Sequence, residues 1–367
     1  MTKYFDLNIG KILEHWTKAE AIRELLANAI DEHEINNIKD NIGVKYNKKT
    51  KTLTIHDLGR GIQLKHFILN ENTIKVNNEK KIIGKFGVGL KDAISTLHRN
   101  KCVTTIKSMH GLYSFIVLNK ENFEDLKTLH VVWESNENTK QKGTEITIKN
   151  IDIKDYEDSL KYFLKFSNFK RLESNNYGEI YAKNNTNDKS YIYINGVKIA
   201  EEDNYKYHYN ITNISKKIKE SLNRERKNVG RQVYFDRIKQ ILLKTTNKEV
   251  ISELVNELCK QTTKDNVCDE IKYSDIIISI IRHANTENKY VFLKKDHMLS
   301  IGLNNIQLGN KELVIINDKI YDKICLLKDV KGNKIITLES QINIATNIVN
   351  NGNLGNINNF YNYDNNN

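Results

Sequence analysis

Not one of the 367 residues is proline. Cis-proline turns, polyproline II segments and proline-stiffened linkers are therefore excluded, and Asn, Ile and Lys fill the gap. The length allows two or three domains with cores of their own. With 39% apolar and 28% charged residues, the chain has ordinary globular usage, which excludes a wholly disordered, collagenous or membrane-embedded protein. Its 57 basic and 46 acidic side chains leave a formal charge of +11, a balance that points to polyanions without specifying one.

Cys102, Cys259, Cys268 and Cys325 share no CxxC spacing, and no short Cys/His cluster matches a zinc site; free, buried thiols are expected. The N-terminal residues lack the apolar stretch of a secretory signal. The longest apolar run, Ile276 to Ile281 with Ser279 inside it, is far too short to span a bilayer. A soluble, intracellular protein with no membrane partner is the expectation.

Apolar residues from Ile12 to Ala29 recur at spacings of three and four, which predicts a helix over 11–38. Strands follow at Gly43 to Tyr46 and Leu53 to His56, then a helix from Phe86 to about His98, then strands at Val103 to Ser108, Leu112 to Leu118, Leu129 to Trp133 and Thr144 to Ile148. Helices followed by a mostly antiparallel sheet give an α+β sandwich over 1–150. A second α/β domain is expected over 151–248, with a helix near Tyr156 to Phe166, strands around Glu179 to Ala182 and Tyr191 to Val197, and a turn at Asn195-Gly196. A smaller α/β unit of unassigned role follows over 249–340, with a helix at Glu249 to Lys260 and strands at Tyr290 to Leu293 and Glu312 to Ile316. Residues 341–367 hold 12 Asn in 27 positions and read as a low-complexity tail.

Four local features carry chemistry. Glu24, Asn28 and Asp31 stand at i, i+4 and i+7 of the first helix, forming a polar stripe opposite the apolar one. A solvated face would look the same, except that Asn28 and its small neighbours Ala27 and Ala29 stand where long charged side chains are usual. Asp57-Leu58-Gly59-Arg60-Gly61 follows a strand, so its carboxylate can accept from an exocyclic amine beside side-chain-free backbone, or the segment is simply a tight turn. Gly84, Lys85, Phe86, Gly87, Val88 and Gly89 lead into a helix that carries Lys91. Such glycines offer backbone N–H groups and a helix N-terminus to a polyphosphate, although neither the Walker A nor the GxGxxG pattern is completed. Gly143-Thr144 opens the strand that closes the domain, and its hydroxyl can finish the polar end of a base pocket.

The order and spacing of these four features resemble the GHKL superfamily of ATPases, which includes gyrase B subunits, the large heat-shock chaperone, sensor histidine kinases and MutL proteins. The resemblance covers about residues 7 to 150. It implies the Bergerat fold, a layer of helices on a mixed sheet, with ATP and Mg²⁺ between them. By that resemblance Glu24 is the general base, Asn28 the Mg²⁺ ligand, and Asp57 the partner of the adenine amine beside Gly59 and Gly61. Gly84 to Gly89 and Lys91 then face the phosphates, and Thr144 the base; Leu58 departs from the motif, where Asn is common. A sensor kinase is disfavoured, because only about 20 residues precede Glu24. Ile82 to Leu97, Tyr191 to Glu202 and Ser221 to Lys239 further resemble an uncharacterised stand-alone GHKL group extending to about residue 340.

Residues 204–244 hold eleven basic and three acidic side chains, most of the chain's positive excess. The interleaved apolar residues predict two amphipathic helices broken near Gly230. In gyrase- and MutL-like proteins the domain after the ATPase is a transducer that sends a cation to the γ-phosphate, a part open here to Arg224, Arg226, Lys227 or Arg231. Two functions follow as expectations: an Mg²⁺-dependent ATPase whose cycle drives a conformational change or homodimerisation, and a nucleotide-gated module that binds nucleic acid or a client protein with little hydrolysis. In the second, Tyr205, Tyr207, Tyr209, Tyr234 and Phe235 are the available base-stacking side chains.

Overall fold

Thr17 starts the first long helix: its hydroxyl accepts from the Glu20 N–H (3.3 Å), and the Glu20 carboxylate accepts from the Thr17 N–H (2.8 Å). This reciprocal capping box satisfies two otherwise orphaned donors. The helix, α1, runs over Lys18–Ile35 and stops at Asn36 and the left-handed Asn37. The computed structural model describes residues 2–8, 15–68, 89–120, 123–135, 142–185, 187–221, 230–260, 268–298 and 310–341. Among them, five of the seven non-glycine residues with positive φ are Asn. Asparagine tolerates that conformation through local hydrogen bonding, and so makes turns in a chain without proline.

The described residues fall into two compact units. The first is α+β. Its seven strands are β1 (Thr2–Asp6), β2 (Gly43–Asn47), β3 (Thr52–Asp57), β4 (Val103–Ser108), β5 (Gly111–Lys120), β6 (Phe123–Glu134) and β7 (Thr144–Lys149). They form one sheet in the order β1-β6-β5-β4-β7-β3-β2, and every neighbouring pair is antiparallel. The mixed sheet implied by the resemblance is thus corrected to a fully antiparallel one. Helices α1, α2 (Gly89–Arg99) and α3 (Ile153–Leu160) supply the other layer. Ile22, Leu25 and Leu26 of α1 and Ala93, Ile94 and Leu97 of α2 share a core with Leu53, Ile55, Ile146 and Ile148 of the sheet.

Alternation explains the sheet: β4 buries Thr104, Ile106 and Ser108 and exposes the residues between them. Strands Ser190–Ile194 and Val197–Glu202 are joined at Asn195-Gly196, both with positive φ, and their Tyr191–Glu201 stretch belongs to the first unit.

The second unit contains the hairpin Arg171–Asn175 and Gly178–Tyr181, the helices Arg231–Leu243, Lys248–Lys260, Ser274–Ala284 and Asp318–Cys325, and the parallel pair Tyr290–Lys294 and Glu312–Ile316. The apolar run from Ile276 to Ile281 lies on a helix whose Ile276, Ile277, Ile280 and Ile281 are buried. Among the described residues no helix is long and apolar enough to cross a membrane. All four cysteines are free; the expected burial holds for Cys102, whereas Cys325, at the last turn of a surface helix, is exposed.

Candidate functional site

A helix repeats every 3.6 residues, so Glu24, Asn28 and Glu32 fall on one side of α1 at successive turns. Glu24 is 7% exposed, and α1 buries most of its residues, so a solvated face does not describe it. Asp31, expected on the same stripe, is fully enclosed, and Glu32 occupies the useful position instead. Eight residues of rise separate Glu24 from Glu32 by about 12 Å, and each end of this stripe meets a different motif.

At the Glu24 end stands the start of α2. A Cβ built on Gly89 would lie 2.7 Å from Glu24 Oε2, so the absence of a side chain lets the helix start approach the carboxylate. The other oxygen, Oε1, accepts from Arg23 Nε (3.1 Å) and Nη2 (2.9 Å). Oε1 thus neutralises a buried guanidinium, while Oε2 faces the residue at which the glycine loop ends. Lys91, two residues on, is buried. Gly84, Lys85, Phe86, Gly87 and Val88 lie outside the described residues.

At the Glu32 end stands the end of β3. Asp57 is 6% exposed, and its Oδ1 accepts from the Gly59 N–H at 2.8 Å. Burial, opposed by that bond and reinforced by the neighbouring Glu32 charge, pushes the Asp57 carboxyl up to about 6. Arg60 binds Glu32 through two nitrogens, at 2.7 and 3.1 Å. His33 Nε2 accepts from the Leu58 N–H (2.9 Å), so its proton is on Nδ1, which donates to the Asp40 carbonyl (2.8 Å). Three side chains thereby fix the loop that follows Asp57.

Sheet register supplies the rest. Asp57 and Ser108 both pair with Thr144, so the three side chains stand abreast on β3, β7 and β4. Thr144 Oγ1 accepts from the Ile62 N–H (3.1 Å) and keeps its own proton for a further acceptor. Ser108 donates to the Ile62 carbonyl at 2.9 Å.

The motif's glycines are required by packing within the protein: a Cβ on Gly59 would meet Glu32 Cβ at 2.7 Å, and one on Gly61 would meet Ser108 Oγ at 2.7 Å. Gly143 is tighter still, with φ +68° and a virtual Cβ 1.9 Å from the Asp57 carbonyl. Gly143→Ala is expected to cost about 3 kcal/mol, read as a lower urea midpoint at unchanged slope; a change below about 0.5 kcal/mol would contradict this geometry.

The structure brings Glu24, Asn28, Asp57, Gly59, Gly61, Gly89, Lys91 and Thr144 into one unit. Sequence spacing does not single out Arg23, Glu32, His33 or Ser108. Extending the i, i+4 series by one turn finds Glu32, but nothing local marks His33 or Ser108, whose partners lie 25 and 46 residues away. One oxygen donor at Asn28, half-buried beside Glu24, suits a hard cation that takes most of its ligands from phosphates and water. Among the described residues no group of three His, Cys, Asp or Glu side chains is gathered for a metal.

Arg224, Arg226 and Lys227 lie outside the described residues. Arg231 belongs to the second unit, where it donates to Asp269 and lies 3.4 Å from Glu202. Lys206 pairs with Glu253 and Glu257, Lys216 with Glu220 and Lys239 with Asp275, so part of the basic excess of 204–244 is compensated locally. Tyr205, Tyr207, Tyr209, Tyr234 and Phe235 are all buried, which corrects the expectation that they could stack on bases: their apolar rings fill the core.

Residues 16–178 match the family of histidine kinase-, DNA gyrase B- and HSP90-like ATPases, and residues 154–248 match the Mycoplasma pneumoniae MPN635 N-terminal domain. An uncharacterised protein of Mycoplasma pneumoniae (strain M129) is 41% identical over 249 residues, which make up 67% of this chain and 99% of that protein. A second from the same organism is 32% identical over 123 residues, 33% of this chain and 34% of its own length. Among solved structures, the ATPase region of Saccharomyces cerevisiae topoisomerase II is 13% identical with a TM-score of 0.30, over 49% of this chain and 62% of that one. The ATPase and transducer domains of topoisomerase II from Balamuthia mandrillaris are 14% identical with a TM-score of 0.32, over 49% of this chain and 60% of that one. The chain thus spans about three fifths of these two solved chains.

Proposed function

This chain belongs to the GHKL superfamily of ATPases and carries an ATP-binding domain of that type, and from that premise we propose that it hydrolyses ATP with Mg²⁺ and uses the cycle to change conformation or dimerise. The observation that carries this reading is the placing of two buried carboxyls at opposite ends of one helix side, Glu24 against the start of α2 and Asp57 at the end of β3. A nucleotide laid along α1 meets Asp57 with its base and Glu24 with its terminal phosphate.

In this reading Asp57 accepts a hydrogen bond from the exocyclic amine, flanked by Gly59, Gly61 and Thr144. Asn28 offers its amide oxygen to Mg²⁺, which neutralises charge on the phosphate oxygens. Residues 84–89 and Lys91 are assigned to the phosphates. Glu24 Oε2 takes a proton from the attacking water as the water oxygen bonds to the γ-phosphorus and the bond to the β–γ bridging oxygen breaks. Arg231 already engages Asp269 and Glu202, so a cation for the γ-phosphate falls to Arg224, Arg226 or Lys227. The division of labour follows the chain: 1–150 for the nucleotide, 151–248 for transmission, with 249–340 of unassigned role.

Isothermal titration of the full chain with ATP and with ADP, Mg²⁺ present, tests the reading, with phosphate release and sedimentation measured alongside. Saturable binding with turnover is expected, together with a larger sedimenting species in a non-hydrolysable analogue. Folded protein that binds neither nucleotide would sink it.

A further inference from the structure

The hairpin around Asn195-Gly196 takes no part in the nucleotide reading, yet its Tyr191–Glu201 stretch packs in the first unit. The Lys198 N–H donates to the Tyr162 carbonyl at 2.8 Å, and the Leu164 N–H donates to the Gly196 carbonyl at 2.9 Å. Between them Phe163 bridges Val197, and both are buried. Three consecutive residues beyond α3 are thereby fixed to the hairpin by backbone bonds. Lys198 also places its ammonium 5.4 Å from the Tyr162 ring and 4.8 Å from the Tyr191 ring.

Tyr162 in turn lies on Arg23, whose guanidinium is 5.1 Å from the Tyr162 ring and 5.5 Å from that of Trp16. Both ring contacts are within the range at which a cation is held by a π face. Arg23 is 2% exposed, so the site is dry and the guanidinium has little freedom. Two of its N–H groups converge on a single oxygen, Glu24 Oε1. Oε1 is thereby anchored, and Oε2 is the oxygen beside Gly89.

We propose that the Tyr191–Glu201 hairpin positions the general base: Lys198 and Tyr162 hold Arg23, and Arg23 aims Glu24 Oε2 at the phosphate end of the site. This rests on the reading of Glu24 as the base. Tyr162 and Lys198 are positioning residues that act on the base through Arg23, and an element beyond residue 150 thereby acts on the reacting carboxylate from within the ATP-binding unit. Displacing a base by a fraction of an ångström slows the chemical step and leaves nucleotide affinity alone.

The test joins kinetics to a readout that needs no turnover. Tyr162→Leu is expected to lower kcat about tenfold with the ATP Kd within about twofold, whereas Tyr162→Phe, which keeps the ring face, stays within about twofold of the parent in both. The chain has two tryptophans, Trp16 and Trp133, so 5-fluorotryptophan labelling gives two ¹⁹F resonances, assigned with Trp133→Phe. Lys198→Met, which alters a partly exposed side chain with no contact to Trp16 among those described, is expected to shift the Trp16 resonance and leave that of Trp133 in place. A kcat for Tyr162→Leu within twofold of the parent, a Kd that rises in proportion, or a Trp16 resonance unmoved by Lys198→Met would each overturn the proposal. If the parent chain binds ATP without turning it over, the reading of Glu24 as base fails instead, and the fluorine shift alone decides whether the hairpin governs Arg23.

Discussion

Glu24→Gln is expected to bind ATP with an affinity within about threefold of the parent chain and to lose at least about a hundredfold in turnover, the range for removing a general base. The choice of Gln follows from the structure. Arg23 is buried and donates twice to Oε1, and an amide oxygen at that position still accepts. Glu24→Ala would strip the buried guanidinium of both its bonds to Oε1, at a cost of about 3–5 kcal/mol that mixes instability with lost chemistry. Single-turnover phosphate release, with nucleotide binding and a urea melt on the same sample, separates the two effects. If Glu24→Gln hydrolyses ATP like the parent, Glu24 is not the base.

Asp57→Asn has the other large effect, and its two halves carry opposite signs. The folded chain holds the Asp57 carboxyl at about 6, against 3.8 for an ordinary one. Between those values the folded state binds more protons than the unfolded one, so stability falls as pH rises from about 4 to about 6, by about 3 kcal/mol. Above pH 6 the full cost of the buried charge is present; below about 4 it is absent. Asn removes the charge and keeps an oxygen for the Gly59 N–H, so the variant is expected to be more stable at pH 7, by up to about 3 kcal/mol, with a flatter pH dependence. It is also expected to lose nucleotide binding, because a side-chain NH₂ can then be turned toward the base amine.

The parent's ATP affinity should correspondingly weaken about tenfold per pH unit below about 6, as the carboxylate acquires a proton. Urea midpoints and titrations at pH 5 to 8 check both halves. A variant that is less stable at pH 7, or that binds ATP unchanged, would show that Asp57 is structural.

The local elements were legible because local rules govern them. Strand Val103–Ser108 matches its expected bounds, and the Asn195-Gly196 turn forms where the dipeptide's preference for positive φ puts it. The expected helix near Tyr156 to Phe166 instead runs over Ile153–Leu160, with a separate 3-10 turn at Leu164–Phe166. The chain between them is engaged by backbone bonds to the hairpin, which apolar periodicity does not encode. The aromatic residues at 205–209 follow the same principle: Tyr alternating with polar residues is a surface-like pattern, and the rings are inside because of how the unit packs.

Helical and strand repeats written in the sequence set the order of the motifs and the helices and strands that carry them, and so mark Glu24, Asn28, Asp57 and Thr144 as candidates. What those residues face depends on long-range packing. The register that sets Asp57 and Ser108 on either side of Thr144, the approach of Gly89 to Glu24, the tautomer of His33 and the stack of Trp16, Arg23 and Tyr162 all join segments far apart in sequence. Such contacts are set by what the whole core can pack and satisfy, and no local repeat records them.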